Sequence, residues 1–317
     1  MNATSAGRGP RAWAELLRVS AALTVPGDAL AGATAAGLRP DRNTALAIGA
    51  SLCLYEAGMA LNDWADRDED AADRPHRPLP SGRITPRAAL TASAALTATG
   101  LALAARAGRA PLTVAGALAT AVWAYDLGLK HTRAAPATMA TARALNLLLG
   151  AAATGRHVPP GGRRTPSPAT GRTRLAAVPS AVLLGAHTYA VTAVSRHEAR
   201  GGSWAAPLAA LAATAALAAL AATPTARRPA PASAASPARL TTVALAASYV
   251  RTAAVPLLHA ALNPSPPLTQ RAVGGGIRAL IPLQATLAAR SGAPGTGLAV
   301  LALAPLARTL ARKVSPT

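Results

Sequence analysis

Three stretches of this chain, residues 88–105, 175–195 and 201–226, contain no Asp, Glu, Lys or Arg at all. Each is near or above the ~17 to 25 residues that a helix needs to cross a bilayer. In hydrocarbon every backbone N–H and C=O must find an internal partner, which leaves helices and closed barrels as the structures that span. Alanine dilutes the hydropathy of these runs, so their recurrence carries more weight than any one of them. Further spans are expected near residues 16–36, 44–61, 111–127, 136–154, 240–262, 277–289 and 297–310. The total is about nine or ten, depending on whether 277–289 crosses fully or lies as a half-helix. The expected fold class is all-α, with residues 1–317 forming one polytopic membrane bundle of about nine transmembrane helices.

Charge excludes one broad class. Lys plus Arg total 32 against 12 Asp plus Glu, a formal charge of +20, which calls first for a test as a nucleic-acid binder. The basic residues are scattered between apolar runs and aromatics are only 3%, so a nucleic-acid partner is not expected; the partner is the lipid bilayer. Arg8, Arg11 and Arg18 sit in or just beyond the polar stretch that opens the chain. That stretch does not read as a cleavable signal, and its arginines predict a cytoplasmic N-terminus in the cell membrane. The segments after the second, fourth and sixth spans then emerge on the cytoplasmic face, although the basic loop 156–174 would lie outside. Residues 156–174 and 223–239, rich in Pro, Arg, Gly or Ala, read as flexible loops. Cys53 has no partner for an intrachain disulfide and reads as inert packing.

The chemistry concentrates in one place. Of the 12 acids, six are Asp63, Asp66, Asp68, Glu69, Asp70 and Asp73. Asn62, Asp63, Asp66 and Asp70 share one helical stripe through offsets of three, four and seven residues. Like charges so spaced disfavour a helix by ~0.2–0.5 kcal/mol per pair, and a divalent cation relieves the repulsion. Mg²⁺ takes oxygen ligands, keeps several waters and is held by one or two carboxylates plus substrate phosphates, a role that Asp63, Asp66 and Asp70 suit. Arg74, Arg77 and Arg83 follow in a proline-stiffened loop, where guanidinium groups can fork onto phosphate oxygens. Cation and anion sites side by side suggest a diphosphate. A solvated acidic helix end paired with its neighbouring arginines is the alternative.

Two more loops carry candidates. Lys130 is one of only two lysines and lies five residues after Tyr125, where a compact charge can reach a phosphate or simply anchor the helix end. Asp126 is a metal-shell carboxylate or an ion-pair partner for Lys130. Glu198, the last acid in the chain, is flanked by Arg196 and Arg200, and either completes a second metal or phosphate subsite or is neutralised by those arginines. His76, His131 and His197 lack metal-ligand spacing and read as polar loop residues.

Asn62 to Asp70, followed by Arg77-Pro78-Leu79-Pro80-Ser81-Gly82, resembles the first aspartate-rich motif of the UbiA superfamily of intramembrane aromatic prenyltransferases. The order of Arg18, the motif, Tyr125 with Lys130, and Arg143 with Asn146 agrees with it along nearly the whole chain. The resemblance implies a bundle around a central lipid-accessible cavity, and Mg²⁺-dependent transfer of a prenyl group from a prenyl diphosphate to an acceptor that no motif names. It implies Asp63, Asp66, Asp70 and Lys130 as catalytic residues. It also implies Asn62 with the three aspartates on metal and diphosphate, assisted by Arg77. With the candidates read from the loops and the element order added, the expected diphosphate contacts are Asn62, Arg74, Arg77, Arg83, Tyr125, Arg143, Arg196 and Arg200, and the expected metal ligands Asp63, Asp66, Asp70 and Glu198. Most members carry a second Asp-x-x-x-Asp motif after the sixth span. Here that loop reads Ser195-Arg196-His197-Glu198-Ala199-Arg200-Gly201-Gly202, which, with Ile281-Pro282-Leu283-Gln284-Ala285, looks like the EboC-like branch. A non-enzymatic lipid-handling or transport component on the same fold is the rival reading.

Overall fold

The structure is a computed structural model and describes residues 8–155, 175–223 and 236–314. The expected loop 156–174 and most of 223–239 therefore lie outside the described residues. Every regular element among the described residues is helical. A short amphipathic helix, α1 (Arg8–Leu16), leads into α2 (Val19–Ala22) and α3 (Pro26–Ala35); α4 (Arg42–Ala65) and α5 (Arg67–Asp73) follow. Next come α6 (Pro86–Ala107), α7 (Arg109–Ala124) with a π-helical turn (Tyr125–Leu129), and α8 (Ala135–Ala153). The remainder is α9 (Val178–Ser195), α10 (Ala205–Ala222), α11 (Pro237–Leu262), α12 (Pro266–Arg290), α13 (Pro294–Leu301) and α14 (Leu303–Val314).

Seven of these helices are long and apolar enough to cross a membrane: α4, α6, α7 with its π turn, α9, α10, α11 and α12. The protein is thus a multi-pass membrane bundle. The expected span 16–36 is divided, because Arg18 adopts a left-handed conformation (φ 49°, ψ 46°) and Pro26 starts a new helix. The stretch 277–289 is not a half-helix; it is the inner part of the 25-residue α12. Every residue from 279 to 289 is buried there, so α12 runs through the protein interior. The stretch 297–310 forms two helices instead of one.

Helix starts follow local chemistry. Asp41 accepts from the Thr44 N–H at 2.9 Å and Thr44 Oγ1 accepts from the Asp41 N–H at 2.9 Å, a reciprocal cap that begins α4. Lipid offers no hydrophobic drive between helices, so association relies on close packing of small residues. A Cβ on Gly150 of α8 would collide with the Ala29 backbone of α3, and one on Gly32 with the Leu147 carbonyl. Polar staples add to this packing. Buried His187 meets the Tyr249 hydroxyl at 2.9 Å and the Gly276 carbonyl at 3.0 Å, tying α9 to α11 and α12. The carbonyl only accepts, so Nε2 carries the proton and the tyrosine donates to Nδ1.

Candidate active site

The acid stripe straddles the junction of α4 and α5. The helix breaks at Asp66 (φ −90°, ψ 4°), yet the Asp66 N–H still bonds the Asn62 carbonyl at 2.9 Å, and the Asp70 N–H the Asp66 carbonyl at 2.8 Å. The expected stripe therefore survives a local change of pitch. Asp68, Glu69 and Asp70 occupy the first turn of α5, where the helix dipole favours negative charge. Asp63 and Asp70 are buried. Buried carboxylates need partners, and the next loops supply them.

Arg77 places Nη1 2.6 Å from Asp70 and 3.7 Å from Asp63. Arg74 reaches Asp70 at 3.4 Å, and Arg18 donates to Asp63 at 3.2 Å. Arg77 is held there because its loop is anchored on both sides. Leu79 and Ile84 are buried against Ala12, Leu16, Ala60 and Ala89, and Gly82 takes the left-handed turn (φ 70°) that the chain reversal needs. Arg18 is the only non-glycine residue at positive φ among the described residues. Such a conformation costs ~1–3 kcal/mol and persists where the surroundings impose it; here it accompanies the Asp63 contact.

From the other side, the π turn brings in the second loop. π-helical turns concentrate at functional sites. This one buries Asp126, which accepts from Asn62 Nδ2 at 3.1 Å, and it delivers Lys130 Nζ to Asp66. Sequence offered Asp126 as the ion-pair partner of Lys130; the structure pairs Lys130 with Asp66 instead, while Asp126 orients Asn62. Tyr125 is half-buried at the start of the turn.

The third loop closes the group. Arg196 donates to the Thr132 carbonyl at 2.9 Å, fastening this loop to the one that bears Lys130. Glu198 is half-buried and lies within electrostatic reach of Arg74. Burial raises its carboxyl above the ordinary value of 4.5, and Arg74 offsets part of that rise. Arg200 is exposed on the same loop.

Two expected diphosphate contacts are engaged elsewhere. Arg83 forks onto Glu15 of α1 at 2.8 and 3.2 Å and donates to the His76 carbonyl at 2.6 Å, bracing the loop. Arg143 lies 3.2 Å from Asp28, deeper in the bundle. Sequence spacing set His131 aside, but Asp66, Glu69 and His131 each offer a ligand atom, all within 4.8 Å of one another. Among the described residues no such group unites Asp63, Asp66 and Asp70. Two charged groups, Arg18 and Asp28, escaped the reading of single motifs as site residues. Asp28 carried a usable signal, since it is a lone acid within a membrane-length apolar run.

The described residues thus form a helical membrane bundle whose loops join buried carboxylates to convergent cations. The family model for the UbiA prenyltransferase family matches residues 22–262, and the chain belongs to that family. Digeranylgeranylglyceryl phosphate synthase of Methanopyrus kandleri is 34% identical over 123 residues, covering 38% of this chain and 45% of that protein. The chloroplastic chlorophyll synthase of Oryza sativa subsp. japonica is 42% identical over 53 residues, 17% of this chain and 14% of that one. The chain thus spans less than half the length of these curated relatives. Among solved structures, a UbiA homolog from Archaeoglobus fulgidus bound to GPP and Mg²⁺ superposes with a TM-score of 0.57 at 20% identity, covering 92% of this chain and 99% of that one. The apo UbiA homolog from Aeropyrum pernix K1 gives 0.61 at 17% identity, over 84% and 96%. These likenesses establish the fold.

Proposed function

We propose that this protein is a Mg²⁺-dependent prenyltransferase that moves a prenyl group from a prenyl diphosphate to an acceptor within the membrane. The observation that carries the reading is the meeting of Asp63, Asp66 and Asp70 with Arg18, Arg77 and Lys130 across three sequence-distant segments at one end of an apolar bundle. The Archaeoglobus fulgidus neighbour is bound to GPP and Mg²⁺, which agrees in kind with that chemistry.

The donor set suits the metal. Asp63, Asp66 and Asp70 are hard oxygen donors of the type Mg²⁺ prefers, and Glu198 lies within electrostatic reach of Arg74, which also pairs with Asp70. Mg²⁺, when bound, would stabilise the charge that develops on the departing diphosphate. The chain's own groups do the rest. Lys130, Arg74 and Arg77 exchange their carboxylate partners for phosphate oxygens, with Tyr125, Arg196 and Arg200 at the rim and Asn62 oriented by Asp126. The bond from prenyl C1 to the diphosphate oxygen breaks with its electron pair leaving on the diphosphate. The acceptor atom then bonds to C1 and loses a proton. Apolar helices exclude water, which would otherwise capture the cation. The N-terminus and these loops face the cytoplasm in this reading, and the composition of the Ser195–Gly202 loop supports a place in the EboC-like branch.

The test is a comparison of lipid extracts from a deletion strain and its parent. The expected result is one missing prenylated species that returns on complementation. Identical extracts would favour a non-enzymatic lipid carrier, which need not cleave its ligand.

A further inference from the structure

A second polar centre lies inside the bundle. Asp28 on α3 is fully buried. Its carboxylate accepts from Asn146 Nδ2 of α8 at 2.6 Å and from Gln284 Nε2 of α12, while Arg143 Nε approaches at 3.2 Å. Arg143 and Gln284 also donate to the Thr24 carbonyl at 3.2 and 2.7 Å. Gly27 permits this convergence, because a Cβ there would occupy the place of the Gln284 amide.

Ionisable groups at membrane depth are costly and mark function by default, and this network is not self-contained. The Asn146 and Gln284 amide oxygens are buried without a hydrogen-bond partner, and Arg143 Nε donates no hydrogen bond. Native structures leave few such atoms. Arg143 retains 12% side-chain exposure, so it borders open space. The centre lies near the acid stripe: Tyr55 is within electrostatic reach of both Arg143 and Arg18, and Arg18 donates to Asp63. One carboxylate and one guanidinium give the centre no net charge. An anionic ligand would have to displace Asp28 from Arg143 in a low-dielectric setting, whereas a neutral hydroxyl can donate to an orphaned amide oxygen and accept from the guanidinium.

We propose that Asp28, Arg143, Asn146 and Gln284 form the acceptor subsite, and that it takes an uncharged, hydroxyl-bearing acceptor and rejects an anionic one. This rests on the prenyl-transfer reading and names its second substrate class. The probes are a matched pair, 4-hydroxybenzyl alcohol and 4-hydroxybenzoate. Each is titrated calorimetrically into the full chain in nanodiscs that contain Mg²⁺ and unreactive geranyl thiolodiphosphate. The alcohol should bind at least about tenfold tighter than the carboxylate. Asp28→Asn leaves Arg143 as an unpaired cation and should invert that order; Asp28→Asn with Arg143→Gln removes both charges and should restore it. Equal or tighter binding of the carboxylate to the wild type, an unchanged ratio in Asp28→Asn, or no binding of either probe overturns the proposal. If Asp28→Asn does not fold, by circular dichroism, the wild type and the double variant decide by the same criteria. Release of diphosphate from geranyl diphosphate by the wild type, measured separately, reports whether the prenyl-transfer reading itself fails.

Discussion

Replacing Lys130 by Met removes the cation that links the second loop to the acid stripe while keeping an unbranched side chain of similar length. Lys130 retains only 9% exposure and its partner Asp66 20%, so the ammonium sits in a partly desolvated site. A hydrogen bond to a charged group is worth ~1.5–3 kcal/mol, which at ~1.4 kcal/mol per decade corresponds to about 10- to 150-fold in affinity. Lys130 must leave Asp66 before it can reach a phosphate. That exchange cancels part of the gain and puts the expected loss of prenyl diphosphate affinity near the lower end, about tenfold. Mg²⁺ binding in the absence of diphosphate should change in the opposite direction, because Asp66 loses a competing cation. Stability should fall by about 1–2 kcal/mol, less than the 3–5 kcal/mol of a fully buried pair, since water reaches Asp66. The assay is calorimetric titration of geranyl diphosphate, Mg²⁺ and geraniol into wild type and variant. Equal losses for geranyl diphosphate and geraniol would rule out a phosphate contact and assign Lys130 to packing.

Glu198→Gln should raise the Mg²⁺ concentration for half-maximal diphosphate release, with Glu198→Asp less harmful; an unchanged midpoint would confine metal binding to the Asp63 to Asp70 stripe. The same variant carries a stability signature. A carboxyl raised above 4.5 by burial favours the fold fully below the unfolded value and loses that contribution as pH rises through the folded one. The thermal midpoint of the wild type should therefore fall relative to Glu198→Gln as pH rises from about 4 to 7, and parallel curves would count against the burial argument. Gly150→Ala should cost at least the ~1–3 kcal/mol of an overpacked core, because α3 cannot retreat from the new methyl without pulling Asp28 from Arg143 and Asn146. Denaturation of a detergent-solubilised variant measures it, and a change within ~0.5 kcal/mol would show that the helices separate freely.

The membrane bundle was legible because charge-free runs of bilayer length admit few structures. The acid stripe was legible because helical periodicity survives the break at Asp66. The pairing inside the site was not. Lys130 is 64 residues from Asp66, and only the π turn decides that it meets Asp66 while Asp126 serves Asn62. Arg83 reads like Arg77 in sequence, but Glu15 on α1 captures it, a contact set by how α1 lies on the loop. Arg18 reaches Asp63 through a left-handed backbone that no arginine pattern announces. The Asp28 centre joins residues 118 and 256 positions apart, and its sequence signal is a single acid inside a span.

If the acid stripe cleaves a prenyl diphosphate with Mg²⁺, diphosphate release reads that step without knowledge of the acceptor. The measurement is release from geranyl diphosphate by the purified protein in nanodiscs, with Mg²⁺ and with EDTA, for wild type, Asp66→Ala and Asp70→Ala. The wild type should release diphosphate only with Mg²⁺, and neither variant should release it although both insert and keep their helical circular dichroism. Normal turnover in either variant would remove the stripe from the chemistry.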